Sequence, residues 1–224
     1  MKRVVVIATR NAGKFRELSR LLRRPHLTIR SLRAYPQAPT VIEHGTTFAA
    51  NARTKALAIA RHTGCLTVGD DSGLLVDALR GRPGVRSARF AGPRATDDAN
   101  NAKLLRLLRG VPVARRGAAF HCTLAVADPS GWVRVVVGRV RGRIADAPRG
   151  GYGFGYDPLF IIPRYGRTFG ELGAAVKQRL SHRAQAARRA RVIVAGYLRS
   201  LAARSSRPAA GSASARRRRA LAGT

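Results

Sequence analysis

The chain has 224 residues, 45% of them hydrophobic, and carries 43 lysines and arginines against 11 acidic residues, a formal net charge of +32 at pH 7. That length allows one large domain or two small lobes with a real core, and the hydrophobic share is ordinary for a globular protein. No stretch approaches the roughly 20 apolar residues needed to cross a bilayer, so no membrane partner is expected. The basic residues are mostly arginines scattered along the chain, which reads as compositional bias more than as a nucleic-acid stripe. Cys65 and Cys122 lie far apart in different apolar segments, without zinc spacing, and are expected as reduced thiols in a cytoplasmic protein.

In chain order, Val4 to Thr9 is a continuous β-branched run, expected as a buried parallel-type strand and not as a secretory leader. A helix is predicted from Gly13 to Arg24 on the stripe Phe15, Leu18, Leu21 and Leu22. A short strand follows at Leu27 to Leu32, and then a loop from Tyr35 to Gly45. Thr46 or Thr47 caps a helix reaching Thr63. Leu66 to Gly69 is predicted as a strand ending in an acidic turn, and Ala95 to Leu108 as a helix. Ala119 to Ala127 and Trp132 to Ile144 read as an antiparallel hairpin closed by the turn Asp128 to Gly131. A glycine-rich loop spans Arg149 to Asp157, and Leu159 to Ile162 is a strand. Thr168 to Leu172 opens a polar stretch, and Ser181 to Leu201 is a closing helix. The order predicts one α/β domain over residues 1–201, with a mixed central sheet, flanking helices and two lobes around a deep cleft. Residues 202–224, rich in Ala, Ser and Arg, read as a disordered basic tail.

Four segments carry chemistry. Thr9-Arg10-Asn11-Ala12-Gly13-Lys14 joins strand to helix, where free amides and a lysine can cradle phosphate; it is not a Walker sequence. Gly69-Asp70-Asp71-Ser72-Gly73 offers hard oxygen ligands for Mg²⁺ and a hydroxyl for a phosphate oxygen. Arg149 to Asp157 alternates glycines with aromatic rings that can stack on a base. Lys177 and Ser181-His182-Arg183 bring cations and hydrogen-bond donors to the last helix. Each segment taken alone also has a plainer reading as a turn, a cap or a solvated helix face.

Together, in this order, the segments resemble the inosine/xanthosine triphosphate pyrophosphatase family. Asn51-Ala52 with Lys55-Ala56, Asp77 to Leu79, Gly81 to Gly92 and Phe120-His121-Cys122 add to the match, which covers roughly Val4 to Ala195. The resemblance implies a purine nucleoside triphosphate (ITP, dITP or XTP) split to monophosphate and pyrophosphate, Mg²⁺ as cofactor, and a homodimer. It places the triphosphate on Thr9, Arg10, Asn11, Ala12, Gly13 and Lys14, with Ser72 also touching substrate. The nucleoside falls to Phe154, Gly155, Tyr156, Asp157, Lys177, His182 and Arg183. Asp71 is implied as general base and metal ligand; beyond the resemblance, Glu43 and Asp70 are expected to help it hold the Mg²⁺. Two positions depart from the family pattern: Ile42 stands where a metal-binding Glu is usual, and Ala50 where a Glu precedes Asn51. Either Glu43 substitutes or metal affinity is weaker. Two rival readings are a pyrophosphatase for other modified nucleotides and a basic nucleic-acid-binding protein; the ordered motifs argue against the second.

Overall fold

The computed structural model describes residues 3–205. One seven-stranded mixed sheet forms the frame, in the order β2-β1-β3-β4-β5-β6-β7. Its strands are β1 (Arg3–Ala8), β2 (Leu27–Ser31), β3 (Leu66–Val76), β4 (Gly117–Ala127), β5 (Val133–Ile144), β6 (Phe160–Ile162) and β7 (Arg167–Thr168). β1 runs parallel to β2 and β3, and every later pairing is antiparallel. The helices are α1 (Ala12–Leu22), α2 (Phe48–Thr63), α3 (Asp97–Leu107), α4 (Phe169–Leu180) and α5 (His182–Ser205).

The helix starts follow capping chemistry. Asn11 caps α1 by accepting from Lys14 N at 2.9 Å, and Thr47 caps α2 by accepting from Ala50 N at 3.1 Å. Gly64 ends α2 with a left-handed φ of 66°, which glycine adopts without a Cβ penalty.

Two expectations are corrected. The acidic segment is not a turn at a strand end: β3 runs eleven residues, so Asp70, Asp71 and Ser72 sit mid-strand. They are held there by the equally long β4, with Asp70 opposite Leu124 and Asp71 opposite Thr123. The polar stretch after Thr168 is helical. Thr168 and Glu171 form a reciprocal capping box, and Gly173, at φ 72°, kinks the element. At the end of the domain, α5 continues to Ser205; the rest of the expected tail, 206–224, lies outside the described residues.

Strand alternation gives β3 two different faces. On one, Leu66 and Val68 join an apolar core with Leu18 and Leu22 of α1 and Ala186, Ala187 and Ala190 of α5. Leu74 and Val76, farther along the same face, join a second core with Leu104, Phe120, Phe160 and Phe169. Asp70 and Ser72 fill the gap between the cores. On the other face α2 packs so close to β3 that a Cβ on Gly69 would meet Ala56 N at 2.8 Å. Asp71 emerges beyond that contact, beside Asn51. The cleft is thus a polar belt between two hydrophobic clusters on one continuous sheet.

Candidate active site

Asp70 is fully buried. Its Oδ2 accepts from Lys14 Nζ at 2.6 Å and from the Ser72 hydroxyl at 3.2 Å. Its Oδ1 takes the Cys122 thiol at 3.3 Å and faces Arg183 Nε at 3.7 Å. Burial alone would raise this carboxyl, but Lys14, Arg183 and Lys55 outweigh it and hold it well below the usual carboxylate range. Asp70 is therefore a permanent anion that anchors cations from α1 and α5. Cys122, beside it, is a buried free thiol pushed well up by burial and by Asp70, and Cys65 is free as well.

Asp71 behaves in the opposite way. It is 4% exposed and accepts one hydrogen bond, from Asn51 Nδ2 at 2.9 Å. Asn51 in turn accepts from Gly45 N at 2.8 Å, tying the loop that carries Glu43 to the helix. Burial pushes Asp71 up to about 6, against the pull of Lys55, Asn51 and Lys14, and the nearby Glu43 charge pushes the same way. Glu43 pairs with Lys55 at 2.9 Å, whereas Ile42 is 65% exposed. The carboxylate that reaches the site is thus the one a residue later than the family pattern expects. Among the described residues, no three His, Cys, Asp or Glu side chains form a complete cation cage. A hard divalent ion held by one or two carboxylates, with phosphate oxygens completing its shell, fits the Asp71 and Glu43 pair, whose mutual repulsion it would relieve.

Two adjoining cavities share Asn11, Lys14 and Ala88. One, of about 230 Å³, is lined by Thr9, Arg10, Glu43 and Lys55. The first-turn amides of α1, at Ala12 and Gly13, have no acceptor within the helix. Arg10 reaches across to Ala38 O at 3.1 Å. The other cavity, of about 80 Å³, is lined by Ser72, Phe154, Gly155, Tyr156, Asp157, Lys177, His182 and Arg183. Of the seventeen site residues expected from the sequence, thirteen line one of these cavities, Asp70 binds the lining Lys14, and Gly13 packs on the lining Phe154. Asp71, held by Asn51 within the fields of Lys55 and Lys14, and Ala12, in the α1 turn, line neither.

Charge pairs organise the second cavity. Glu17, on α1 one turn after Lys14, pairs with Lys177 at 2.6 Å and with Arg183. Burial opposes its ionisation, but Arg183 and Lys177 outweigh burial and hold Glu17 below its ordinary value. Lys177 also bonds Asp157, whose Oδ2 accepts from Phe154 N at 2.8 Å. The Phe154 ring lies 4.5 Å from Lys177 Nζ and 5.5 Å from the Arg183 guanidinium, in cation–π contact with both. It also packs on Gly13, where a Cβ would come within 2.7 Å of the ring, so glycine is required for that approach. His182 stacks on Phe120 at 4.7 Å; its Nδ1 is buried without a partner, and burial with the Arg183 and Lys177 charges keeps it neutral.

Sequence reading alone did not single out Glu17, Asn51, Asp97 or Asn101 for roles. Glu17 had a legible signal, since it lies three residues after Lys14 and therefore on the same helical face. The partners of the other three are set by tertiary contacts.

The sequence pattern of the Ham1 family matches residues 5–192. The chain is 52% identical over 182 residues to the dITP/XTP pyrophosphatase of Geobacillus kaustophilus, a match covering 81% of this chain and 89% of that protein. It is 51% identical over 185 residues to the dITP/XTP pyrophosphatase of Rhodopirellula baltica, covering 82% and 89%. Among solved structures, a HAM1 protein from Coxiella burnetii superposes with a TM-score of 0.78 at 36% identity, over 87% of this chain and 99% of that one. With a family match across most of its length and relatives sharing half their residues with it, this chain belongs to the Ham1 family.

Proposed function

We propose that this protein hydrolyses deaminated purine nucleoside triphosphates (dITP, ITP and XTP) to the monophosphate and pyrophosphate, keeping them out of nucleic acid. The observation that carries this reading is convergence. The α1 turn, Glu43, and the Phe154 loop with Lys177, His182 and Arg183 line two adjoining cavities, and Asp71 lies within the fields of the lining residues Lys55, Lys14 and Glu43.

In this reading Lys14 and the α1 amides hold the polyphosphate, and Ser72 and Arg10 flank it. Asp71 takes the proton from a water that attacks the α-phosphorus, and pyrophosphate departs. A carboxyl raised to about 6 is ionised at neutral pH yet more basic than an ordinary aspartate, which suits a general base. Asp71 and Glu43 would hold a divalent cation, Mg²⁺ in this proposal, which when bound neutralises phosphate charge. Asp70 points to the opposite face of β3 with both oxygens occupied, so its part is to fix Lys14 and Arg183 and not to ligate the metal.

Base selection rests on the purine 6-position. A keto oxygen accepts a hydrogen bond, whereas an amino group offers a donor to a pocket already rich in donors, at a cost of about 1–3 kcal/mol per unsatisfied group. The amides of Phe154 and Gly155 already donate, to Asp157 and Asp97, so Arg183 and His182 are the donors assigned here. The family resemblance extends the proposal to a cytoplasmic homodimer, which light scattering of the purified protein checks. Among the described residues, no helix is long and apolar enough to cross a membrane.

The test is pyrophosphate release from ITP with and without Mg²⁺, with ATP and dUTP alongside. ITP turnover that needs the metal and exceeds both comparators supports the proposal. Equal turnover of ATP and ITP would refute the pocket assignment, and preference for dUTP would favour the rival substrate class.

A further inference from the structure

The two segments that wall the nucleoside cavity, around residues 84–92 and 150–157, are both bonded by one helix, α3. Asp97, Asn100 and Asn101 fall on one face of α3, at spacings of three and four residues. Leu104, on the following turn, anchors the helix in the second core. Asn100 takes the first loop: its Oδ1 accepts from Ala91 N at 2.8 Å and its Nδ2 donates to Ala88 O at 3.3 Å. Asp97 and Asn101 take the second loop at one residue. Gly155 N donates to Asp97 Oδ2 at 2.6 Å, and Gly155 O accepts from Asn101 Nδ2 at 3.0 Å. Tyr156 OH then ties the loops together by donating to Ser87 O at 2.8 Å.

Loop backbone without strand partners needs acceptors and donors from elsewhere, and a carboxylate–amide bond is among the stronger ones available. Asp97 sits in the first turn of its helix, where an acidic residue ordinarily serves the helix's own N-terminus. Here Thr96 supplies that cap, accepting from Ala99 N at 3.1 Å, and the Asp97 carboxylate reaches out to another loop. Gly155, at φ 63°, holds a left-handed conformation beside the Phe154 ring, so fixing its N–H and C=O fixes the ring's direction. Asp97 and Asn100 both line the cavity.

We propose that α3 is a clamp that sets the width of the nucleoside pocket, with Asp97 and Asn101 as positioning residues on which base discrimination depends. This rests on the reading of 154–157 as the nucleoside loop. Among the described residues, none of the three α3 side chains hydrogen-bonds to the α1 turn, so the clamp acts on the base and not on the triphosphate.

The experiment measures KM and kcat for ITP and ATP, and inhibition by inorganic tripolyphosphate, in Asp97→Ala, Asp97→Asn, Asn101→Ala and Phe154→Ala. Expected for Asp97→Ala is a KM for ITP raised about tenfold, kcat within about threefold, a reduced preference for ITP over ATP, and unchanged tripolyphosphate inhibition. Asp97→Asn, which keeps an acceptor oxygen, should recover most of the loss, and Asn101→Ala should shift KM in the same direction. The clamp is overturned if Asp97→Ala lowers thermal stability while KM and preference stay put. Tripolyphosphate inhibition weakening in step with KM would overturn it too. If Phe154→Ala loses the preference for ITP while Asp97→Ala keeps it, the clamp alone falls; if Phe154→Ala keeps it as well, the nucleoside-loop reading falls with it.

Discussion

Asp70 and Asp71 are neighbours in sequence and opposites in chemistry. On the α1/α5 face of β3, Asp70 is surrounded by Lys14, Arg183, Ser72 and Cys122, and it stays ionised below the usual carboxylate range. On the α2 face, Asp71 is buried beside Asn51 and repelled by Glu43, and it rises to about 6. Both are desolvated, so burial alone does not decide the outcome; the number and closeness of cations does. A one-residue step along a strand therefore separates a structural anion from a candidate base.

The largest effect that tests this contrast is catalytic. Asp71→Asn should lower kcat for ITP by about 10²–10⁴-fold, the range typical of a general base, read as pyrophosphate release. Its melting temperature should hold or rise, because a buried charge is removed while an acceptor for Asn51 remains. Near-wild-type turnover would end the assignment.

Next in size is Asp70→Asn, whose effect on stability has the opposite sign. Removing one partner of a buried ion pair leaves Lys14 without its carboxylate and Arg183 with Glu17 alone, at about 3–5 kcal/mol, read by urea unfolding. If Asp70→Asn is as stable as the parent, the structural reading of Asp70 fails.

The pH dependence separates the two in the unmodified protein. Without Mg²⁺, the Asp71 carboxyl should titrate at about 6, read by NMR, and a bound divalent cation should move that titration downward. Stability moves differently on each face. Asp71, raised when folded, binds its proton more tightly in the native state, so its contribution falls as pH climbs from the ordinary carboxylate range to about 6 and stays lost above. Asp70, depressed when folded, stabilises above the ordinary range, and that stabilisation is lost on acidification below it. An Asp71 carboxyl that titrates in the ordinary range without Mg²⁺ would contradict the first assignment.

The smallest effect concerns the second ligand. Glu43→Gln should raise the Mg²⁺ concentration for half-maximal activity by about tenfold. Ile42→Glu, on an exposed side chain, should leave that concentration unchanged. A strong response to Ile42→Glu would show that the loop presents the family position after all.

Much of the frame was legible in the chain. The β-branched run of β1, the α1 stripe, the Thr47 cap and the hairpin turn after Ala127 are local signals, and the elements form within a few residues of where those signals place them. Two features were not legible. A run containing Asp70, Asp71, Ser72 and Gly73 has turn-like composition, and only the eleven-residue ladder with β4 keeps it extended. α4 lacks a helical stripe because Gly170 and Gly173 interrupt it, although Thr168 and Glu171 carried the capping signal.

What the residues determined by themselves was the inventory: a lysine-bearing strand-to-helix turn, two carboxylates, a glycine-aromatic loop and a cationic last helix, in an order that marks a family. Only the folded chain decided which of these groups meet. Alternation sends Asp70 and Asp71 to opposite faces, and contacts between residues up to 166 apart, such as Glu17 with Arg183, set the local field. Ionisation and hydrogen bonding depend on distance in space, and separation along the chain does not encode it.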